Sequence, residues 1–254
     1  MPRPGITETA RHDAVAGVTT DQLRERVATA CRLIAMEGFT DLTLGHVSAR
    51  QPGDRTVWIK RKGLALDEVE PADVIALDLD DPDALSNRDY HLESVMHTEV
   101  YRARPDVNAV IHGHPLYGTA LGATDGTLRY LTHDAVLFTD GLGIYDDGPA
   151  LVTERGQATR VAAALGSRRA ALLRNHGVVV AGEDVRWAVL TAVTLERAIR
   201  FQVVAASLGA PHPISQSDAQ ILRPMKYQEF LLDDYWAAWE RRVARARVAQ
   251  GGPG

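Results

Sequence analysis

Apolar positions along the chain follow two different periods, and these predict alternating helices and strands. Apolar residues three and four positions apart indicate a helix with one buried face, whereas short apolar runs bounded by Gly, Pro and Asp indicate strands. Helices are predicted over residues 19–37, 92–104, 116–121, 152–165 and 184–208, and from about 225 onwards. Strands are predicted over 56–59, 74–79, 107–114, 170–173 and 178–181, and residues 40–50 are predicted to form a turn that enters another strand. Helices interleaved with strands favour an α/β fold around a central sheet.

The first predicted helix carries the only cysteine of the chain, Cys31, on its apolar face. Thr19 or Thr20 can cap this helix, and Gly38 can end it. A single cysteine excludes an internal disulfide. We therefore predict that Cys31 packs in the core.

The ends of the chain lack this periodicity. Residues 1–18 are predicted to form a flexible arm, 19–249 a single domain, and 250–254 a disordered tail. Residues 122–150, rich in Gly, Asp and Thr, are predicted to be a functional loop or several short strands.

Composition and charge narrow the class of protein. Of the 254 residues, 45% are hydrophobic and 24% are charged, which is typical of a globular protein, and the net charge of −5 disfavours a general nucleic-acid or membrane role. No apolar run has the length of a membrane span, and the first residues have no apolar h-region of a signal peptide. The expected location is therefore the cytoplasm.

Two histidines, His112 and His114, end an apolar strand. Alternate side chains of a strand share one face, so these imidazoles are expected side by side, with Cα atoms about 6.5 Å apart. That spacing suits two ligands of one metal ion. Histidines at strand ends are also often simply hydrogen-bonded, so the pair alone does not settle the matter.

His176 and Glu93 are two further candidate ligands. His176 lies in a break between two apolar strands, and Glu93 lies at the start of the helix before the His-x-His strand. Three imidazoles and one carboxylate would suit a roughly tetrahedral site for Zn²⁺, Mn²⁺, Fe²⁺ or Co²⁺. The alternatives are a core histidine bonded to backbone and an acid favoured by the helix dipole.

Four motifs follow one another along residues 20–208 in an order that resembles the class II aldolase/adducin family. They are Gly45-His46-Val47-Ser48, Glu93 with His97, the Arg104–Pro115 segment, and Leu172-Leu173-Arg174-Asn175-His176-Gly177. The resemblance implies a three-layer α/β/α fold with a central, largely antiparallel sheet, and tetramers with active sites between subunits. It also implies one divalent metal ion per subunit, held by His112, His114 and His176. Glu93 matches the catalytic glutamate, which can also contact the metal.

Several positions depart from the sugar-phosphate aldolases of this family. His46 replaces an asparagine that helps to hold phosphate, a basic turn replaces a hydroxyl-bearing turn, and His91 and Leu92 replace small hydroxyl residues. These changes favour a cationic pocket for one or two carboxylates, although a solvated basic run at a strand end remains an alternative. The predicted substrate-binding residues are His46, Ser48, Lys60, Arg61, Lys62 and Gly63.

The basic turn and the Gly-His-Val-Ser motif resemble most closely the decarboxylase branch of the family, which includes dihydroxyphthalate decarboxylases. The resemblance implies a metal-dependent carbon–carbon lyase that releases CO₂ from a hydroxylated, phthalate-like aromatic acid. Glu93 or His133 would supply the proton. His133 falls in the region where fuculose-phosphate aldolases use a neighbouring subunit's tyrosine as the acid.

Three other functions stay open at this level. The first is a class II aldolase acting on a hydroxy-keto or hydroxy-acid substrate through an enediolate. The second is an iron-dependent oxygenase, as in relatives from aminocoumarin biosynthesis. The third is an adducin-like binding module without catalysis, which the presence of all three histidines and Glu93 argues against.

The sequence leaves open which residues support the metal ligands and what the aromatic residues near the end of the chain do. Asp140, His97 and Tyr117 are candidates to hold the second nitrogen of a metal-binding imidazole. The aromatic residues of the last helix either pack within the fold or against a neighbouring subunit, or they close over the active site. These residues are Tyr227, Tyr235, Trp236 and Trp239.

Overall fold

The computed structural model describes residues 18–81, 83–148 and 150–249. The predicted tail and all but the last residue of the predicted arm lie outside these ranges. The helices are α1 (Thr20–Met36), α2 (Ser94–Ala103), α3 (Leu116–Gly122), α4 (Arg155–Leu165), α5 (Val185–Leu208), α6 (Gln216–Lys226) and α7 (Glu229–Ala249). The strands are β1 (His46–Ala49), β2 (Thr56–Lys60), β3 (Val74–Asp78), β4 (Ala109–Gly113), β5 (Gly143–Tyr145), β6 (Ala170–Leu173) and β7 (Gly177–Gly182).

The strands form one seven-stranded sheet in the order β3-β2-β1-β4-β7-β6-β5. Every neighbouring pair is antiparallel except β5 and β6. This confirms the expected central, largely antiparallel sheet. In the register of β1 and β4, His46 lies directly opposite His112, so two of the candidate residues meet at one end of the sheet.

Helices cover both faces of the sheet, which confirms the three-layer α/β/α fold. Helices α1, α3 and α5 pack on one face, and α2 and α4 pack on the other. Cys31 is fully buried in the first of these layers, and burial raises the pKa of its thiol to about 12. Cys31 therefore packs in the core as predicted, and its thiol is unreactive near neutral pH.

The start of α1 follows the predicted capping chemistry. The Thr19 side chain accepts a hydrogen bond from the Gln22 backbone at 3.2 Å, and the Gln22 side chain accepts one from the Thr19 backbone at 2.8 Å. This reciprocal pair is a capping box, which satisfies two backbone donors that the first helical turn leaves free.

The chain ends in a helix as predicted, but this helix begins at Glu229, and the sequence pattern missed helix α6 before it. Helix α6 begins earlier, where Ser215 caps the helix by accepting from the Asp218 backbone at 3.1 Å, and the backbone breaks at Tyr227 before α7 begins. Prolines at 211, 213 and 224 hide this helix in the sequence, because they read as a linker. Trp236 is buried against the core of the same chain.

The segment 122–150 contains little regular structure. It holds one short helical turn, Ala135–Phe138, and the three-residue strand β5. Among the described residues, no helix is both long enough and apolar enough to cross a bilayer.

Candidate active site

His112 and His114 lie at the carboxyl end of β4, and their contacts fix which ring nitrogen is free. His112 is fully buried, and its Nδ1 donates to the carbonyl of Val178 at 2.9 Å. The Nδ1 of His114 donates to the carboxylate of Asp41. Because both partners are acceptors, each Nδ1 carries the proton, and each Nε2 presents a lone pair.

His176 and Glu93 approach the same point from other elements. His176 ends the turn between β6 and β7, directly after Asn175, whose backbone has a φ of 56°. Glu93 is the residue before α2, and its Oε1 accepts a hydrogen bond from the Val152 backbone at 2.9 Å. Its carboxylate oxygens lie 3.5 Å from Nε2 of His176 and 3.6 Å from Nε2 of His112.

These four side chains form a ligand set that fits a divalent metal ion. One ligand atom from each of Glu93, His112, His114 and His176 lies within 4.8 Å of every other. The Nε2 atoms of the three histidines are buried, and none has a hydrogen-bond partner among the described residues. Buried nitrogens without a partner are costly, so three of them facing one carboxylate point to a cation between them.

Electrostatics agrees with an ionised carboxylate at this point. Burial would raise the pKa of the Glu93 carboxyl, but its interactions with His112 and His176 outweigh burial and hold the pKa well below its usual range. Burial lowers the pKa of His112. Neutral imidazoles beside an ionised carboxylate are the protonation states that a metal site requires.

A cleft of about 390 Å³ opens beside these ligands. Its apolar walls are half exposed or more: Leu44 is 52% accessible, Leu92 63% and Leu151 54%. A partly apolar cleft of this size beside charged and polar groups suits a small ligand that carries polar substituents. The residues that line it are Leu44, His46, Lys62, His91, Leu92, Glu93, His114, Leu151, Asn175 and His176.

Of the predicted substrate-binding residues, the structure places His46 and Lys62 at this cleft. Ser48 is fully buried behind it, and Gly63 forms the adjoining turn with a φ of +92°. Neither residue lines the cleft in the single chain, and their roles in substrate contact stay predictions. Ser48 shares the face of His46 on β1, but it lies two residues farther into the strand, away from the cleft.

Lys60 and Arg61 also do not line the cleft. Lys60 is fully buried, and its Nζ lies 3.2 Å from Nε2 of His91 and 3.3 Å from the carbonyl of Thr43. Arg61 points to the protein surface, where it pairs with Asp73 at 3.1 Å. Among the three basic residues of the predicted cationic clamp, Lys62 lines the cleft, and Lys60 contacts His91, which also lines it.

A group of three further imidazoles lies between the cleft and the core. The ring of His46 lies 4.7 Å from the rings of His91 and His97 and 5.0 Å from that of His112. Burial lowers the pKa values of His46 and His97 well below their usual range, and burial together with Lys60 lowers that of His91 to about 3. These three rings are therefore neutral near pH 7.

The remaining candidates lie elsewhere in the single chain. His133 is exposed just before the Ala135–Phe138 turn, and Asp140 pairs with Arg223 at 2.6 Å. The backbone of Tyr117 donates to Glu196 at 2.9 Å. Among the described residues, neither Asp140 nor Tyr117 is hydrogen-bonded to a candidate metal ligand, and His97 contacts His46 and Ser48.

Sequence reasoning missed the groups that do support the ligands. They are the Asp41 carboxylate, the Val178 carbonyl and the Val152 backbone N–H. Asp41 is 73 residues from His114, and no local pattern marks it. The two backbone groups carry no side-chain signal at all.

Comparisons with known proteins agree with this geometry. Residues 25–203 match the Class II Aldolase and Adducin N-terminal domain. The chain is 33% identical over 243 residues to a 3,4-dihydroxyphthalate decarboxylase of Arthrobacter keyseri, covering 89% of this chain and 94% of that one. It is also 33% identical over 203 residues to a 4-hydroxy-3-prenylphenylpyruvate oxygenase/4-hydroxy-3-prenylbenzoate synthase of Streptomyces roseochromogenus subsp. oscitans, covering 78% and 73%. The crystal structure of an aldolase II superfamily protein from Pseudomonas syringae superposes with a TM-score of 0.77 at 26% identity, covering 93% and 97%.

Proposed function

We propose, since this chain belongs to the class II aldolase and adducin family, that its cleft is the active site of a metal-dependent lyase that decarboxylates a hydroxylated aromatic acid. The observation that carries the proposal is the meeting of three unpartnered imidazole nitrogens with the Glu93 carboxylate at the mouth of a cleft. Decarboxylase- and aldolase-named relatives support a class II aldolase-like lyase.

His112, His114 and His176, together with Glu93, would hold one divalent ion. When bound, that ion supplies Lewis-acid stabilisation of negative charge on a substrate oxygen. The mixed nitrogen and oxygen donor set accepts Zn²⁺, Mn²⁺, Co²⁺ or Fe²⁺.

The walls of the cleft support an aromatic acid as the substrate. Leu44, Leu92 and Leu151 offer apolar contact to an aromatic ring, and Lys62 offers a cation for a ring carboxylate. The side-chain amides and hydroxyls that hold phosphate in sugar-phosphate aldolases are replaced here by His46, Lys62 and Leu92. These features, with the 33% identity to a dihydroxyphthalate decarboxylase, favour an ortho-hydroxy aromatic carboxylate.

In this proposal Glu93 moves a proton between substrate atoms. Decarboxylation of a ring needs one proton to replace the departing CO₂ at the ring carbon. Glu93 is ionised in the resting site, so it can take the proton of the ring hydroxyl and return it to that carbon. His133 is the alternative donor, and it would reach the cleft from a neighbouring subunit of a homotetramer, since it is exposed and outside the cleft of its own chain.

An activity screen tests this function. The purified protein is reconstituted separately with Mn²⁺, Zn²⁺, Co²⁺ and Fe²⁺ and given hydroxylated phthalates and other ortho-hydroxy aromatic acids, while CO₂ and the ring product are measured. We expect CO₂ release that Glu93→Gln and His112→Ala abolish. His212→Gln, an exposed histidine far along the chain from every ligand, serves as the matched control and should keep full activity.

Other products separate the alternative functions. Release of an aldehyde in place of CO₂ indicates aldol cleavage of an unphosphorylated acid. Oxygen consumption with Fe²⁺ indicates an oxygenase, which the identity to the prenylphenylpyruvate oxygenase makes the second candidate. Absence of metal binding by calorimetry would overturn all three enzymatic functions and favour an adducin-like module.

A further inference from the structure

A continuous chain of buried hydrogen bonds runs from the core to the cleft. The Tyr101 hydroxyl lies 2.8 Å from Ser48 Oγ, and Ser48 Oγ lies 2.6 Å from Nδ1 of His97. Nε2 of His97 lies 2.7 Å from Nδ1 of His46. All four residues are buried, and of these only His46 lines the cleft.

The donor and acceptor roles along these hydrogen bonds follow from the buried end, at Tyr101. A tyrosine hydroxyl has one proton to donate, and among the described residues Ser48 Oγ is the hydrogen-bond acceptor within its reach. If Ser48 donated to Tyr101 instead, the phenolic proton would be buried without an acceptor, which costs the desolvation energy of that group. Tyr101 therefore donates to Ser48.

The donor and acceptor roles are fixed in the same way as far as His46. Because Ser48 accepts from Tyr101, its own proton goes to Nδ1 of His97. His97 then carries its proton on Nε2 and donates it to Nδ1 of His46. A neutral His46 is thereby left with its proton on Nε2, the ring nitrogen that the chain does not use.

A separate contact, from Lys60, fixes the position of the proton on His91. The ammonium of Lys60 has only donors, so Nε2 of His91, 3.2 Å away, must accept from it. The proton of a neutral His91 is then on Nδ1. Neither His46 nor His91 has a carboxylate as a hydrogen-bond partner among the described residues, so a second buried positive charge beside Lys60 would be uncompensated.

We infer that His46 and His91 form a pair of uncharged N–H donors that binds a carboxylate of the substrate, a role that rests on the proposed function. Their rings lie 4.7 Å apart with a tilt of 37°, and both line the cleft. One N–H faces each oxygen of a carboxylate, and Lys62 adds charge from the exposed side. Tyr101, Ser48 and His97 are positioning residues for His46, and Lys60 is the positioning residue for His91.

Nitrogen NMR of the ring atoms tests the assignment without turnover. Zinc-loaded protein labelled with ¹⁵N-histidine should show protonated Nε2 in His46 and protonated Nδ1 in His91. Both N–H signals should shift when phthalate is added, and neither should shift with the uncharged analogue phthalamide. Ser48→Ala and Tyr101→Phe should convert part of His46 to the other tautomer. Finding His46 protonated on Nδ1 in the unmodified protein would overturn the inference.

Binding of phthalate, measured by calorimetry, gives a second readout. His46→Leu and His91→Leu should each weaken phthalate about tenfold to a hundredfold, as expected for the loss of a hydrogen bond to a charged group. His46→Gln and His91→Asn, whose amides place an N–H near the Nε2 and Nδ1 positions, should recover most of the affinity. His212→Gln should bind as the unmodified protein does.

The two proposals fail in different ways. If phthalate binding depends on His46 and His91 but no acid releases CO₂, the proposed function is wrong and the donor pair stands. If CO₂ is released while His46→Leu and His91→Leu bind phthalate with unchanged affinity, the donor pair is wrong and the function stands.

Discussion

The carboxylate of Asp41 accepts a hydrogen bond from Nδ1 of His114, across 73 residues of sequence. This contact fixes the ring so that Nε2 faces the other ligands. The residue after Asp41, Leu42, has a φ of 51°, and the residue before His176, Asn175, has a φ of 56°. They are the non-glycine residues with positive φ in the described part of the chain, so backbone strain is concentrated beside the candidate metal site.

Removal of the Asp41 carboxylate should weaken metal binding without removing a ligand. Asp41→Ala is expected to reduce metal affinity about tenfold to a hundredfold, because His114 loses the acceptor that orients it and raises its basicity. Competition with a chromophoric chelator measures this change. The matched control is Asp140→Ala, a carboxylate paired with Arg223 away from the ligands. Equal affinity in the two variants would contradict a supporting role for Asp41.

Gly177→Ala should disturb both the fold and the metal site. A Cβ at residue 177 would lie 2.4 Å from Cδ2 of His114 and 2.5 Å from the Gly113 carbonyl oxygen. We expect a loss of about 1–3 kcal/mol in the free energy of unfolding, together with weaker metal binding. Gly156→Ala, in the first turn of α4 with only ordinary contacts, should instead stabilise by about 0.5 kcal/mol. Calorimetric unfolding of both variants, with and without Zn²⁺, measures these changes in stability and in stabilisation by the metal.

Substitution of Lys62 should weaken substrate binding, whereas substitution of its neighbour Arg61 should not. Lys62→Met is expected to raise KM for an aromatic carboxylate about fivefold with a smaller effect on kcat, since an exposed cation contributes modestly to binding. Arg61→Met should leave KM unchanged, because Arg61 pairs with Asp73 at the surface. Steady-state kinetics on both variants decides the matter, and a larger KM effect in Arg61→Met would reverse the assignment.

The metal-free protein should lose stability as the pH falls below about 6.5, the pKa of histidine in an unfolded chain. Burial lowers the folded-state pKa of His97 well below its usual range, and burial together with Lys60 lowers that of His91 to about 3. The unfolded chain therefore binds more protons, so stability is fully present above about pH 6.5 and is lost as the pH decreases. Each such histidine adds up to about 1.4 kcal/mol per pH unit to the slope.

Urea unfolding in the presence of a chelator, at several pH values between about 7.5 and about 5, measures this slope. His97→Gln should give a shallower slope, since the variant no longer carries that titrating group. His212→Gln, at an exposed position outside the buried group of imidazoles, should leave the slope unchanged. An unchanged slope in His97→Gln would show that His97 is already charged in the folded protein.

The sequence by itself determined the layers of the fold and the candidate metal ligands. Local period specifies helices and strands, and the two-residue period of β4 places His112 and His114 side by side. The ordered motifs added His176 and Glu93, and the structure brings all four together. The same alternation predicts that the Arg61 side chain points away from the side that Lys60 and Lys62 share. Treating residues 60–63 as one basic run overlooks this difference.

Only the tertiary structure decided which groups support the ligands and which residues reach the cleft. Asp41, the Val178 carbonyl and the Tyr101 end of the buried hydrogen-bond chain come from distant elements, and no local pattern marks them. Burial also changes chemistry that composition suggests: Lys60 reads as a substrate-binding cation, yet it lies in the interior and donates to His91. The physical reason is that hydrogen-bond direction and side-chain exposure depend on what packs across the sheet, whereas strand and helix periods depend only on neighbours in the chain.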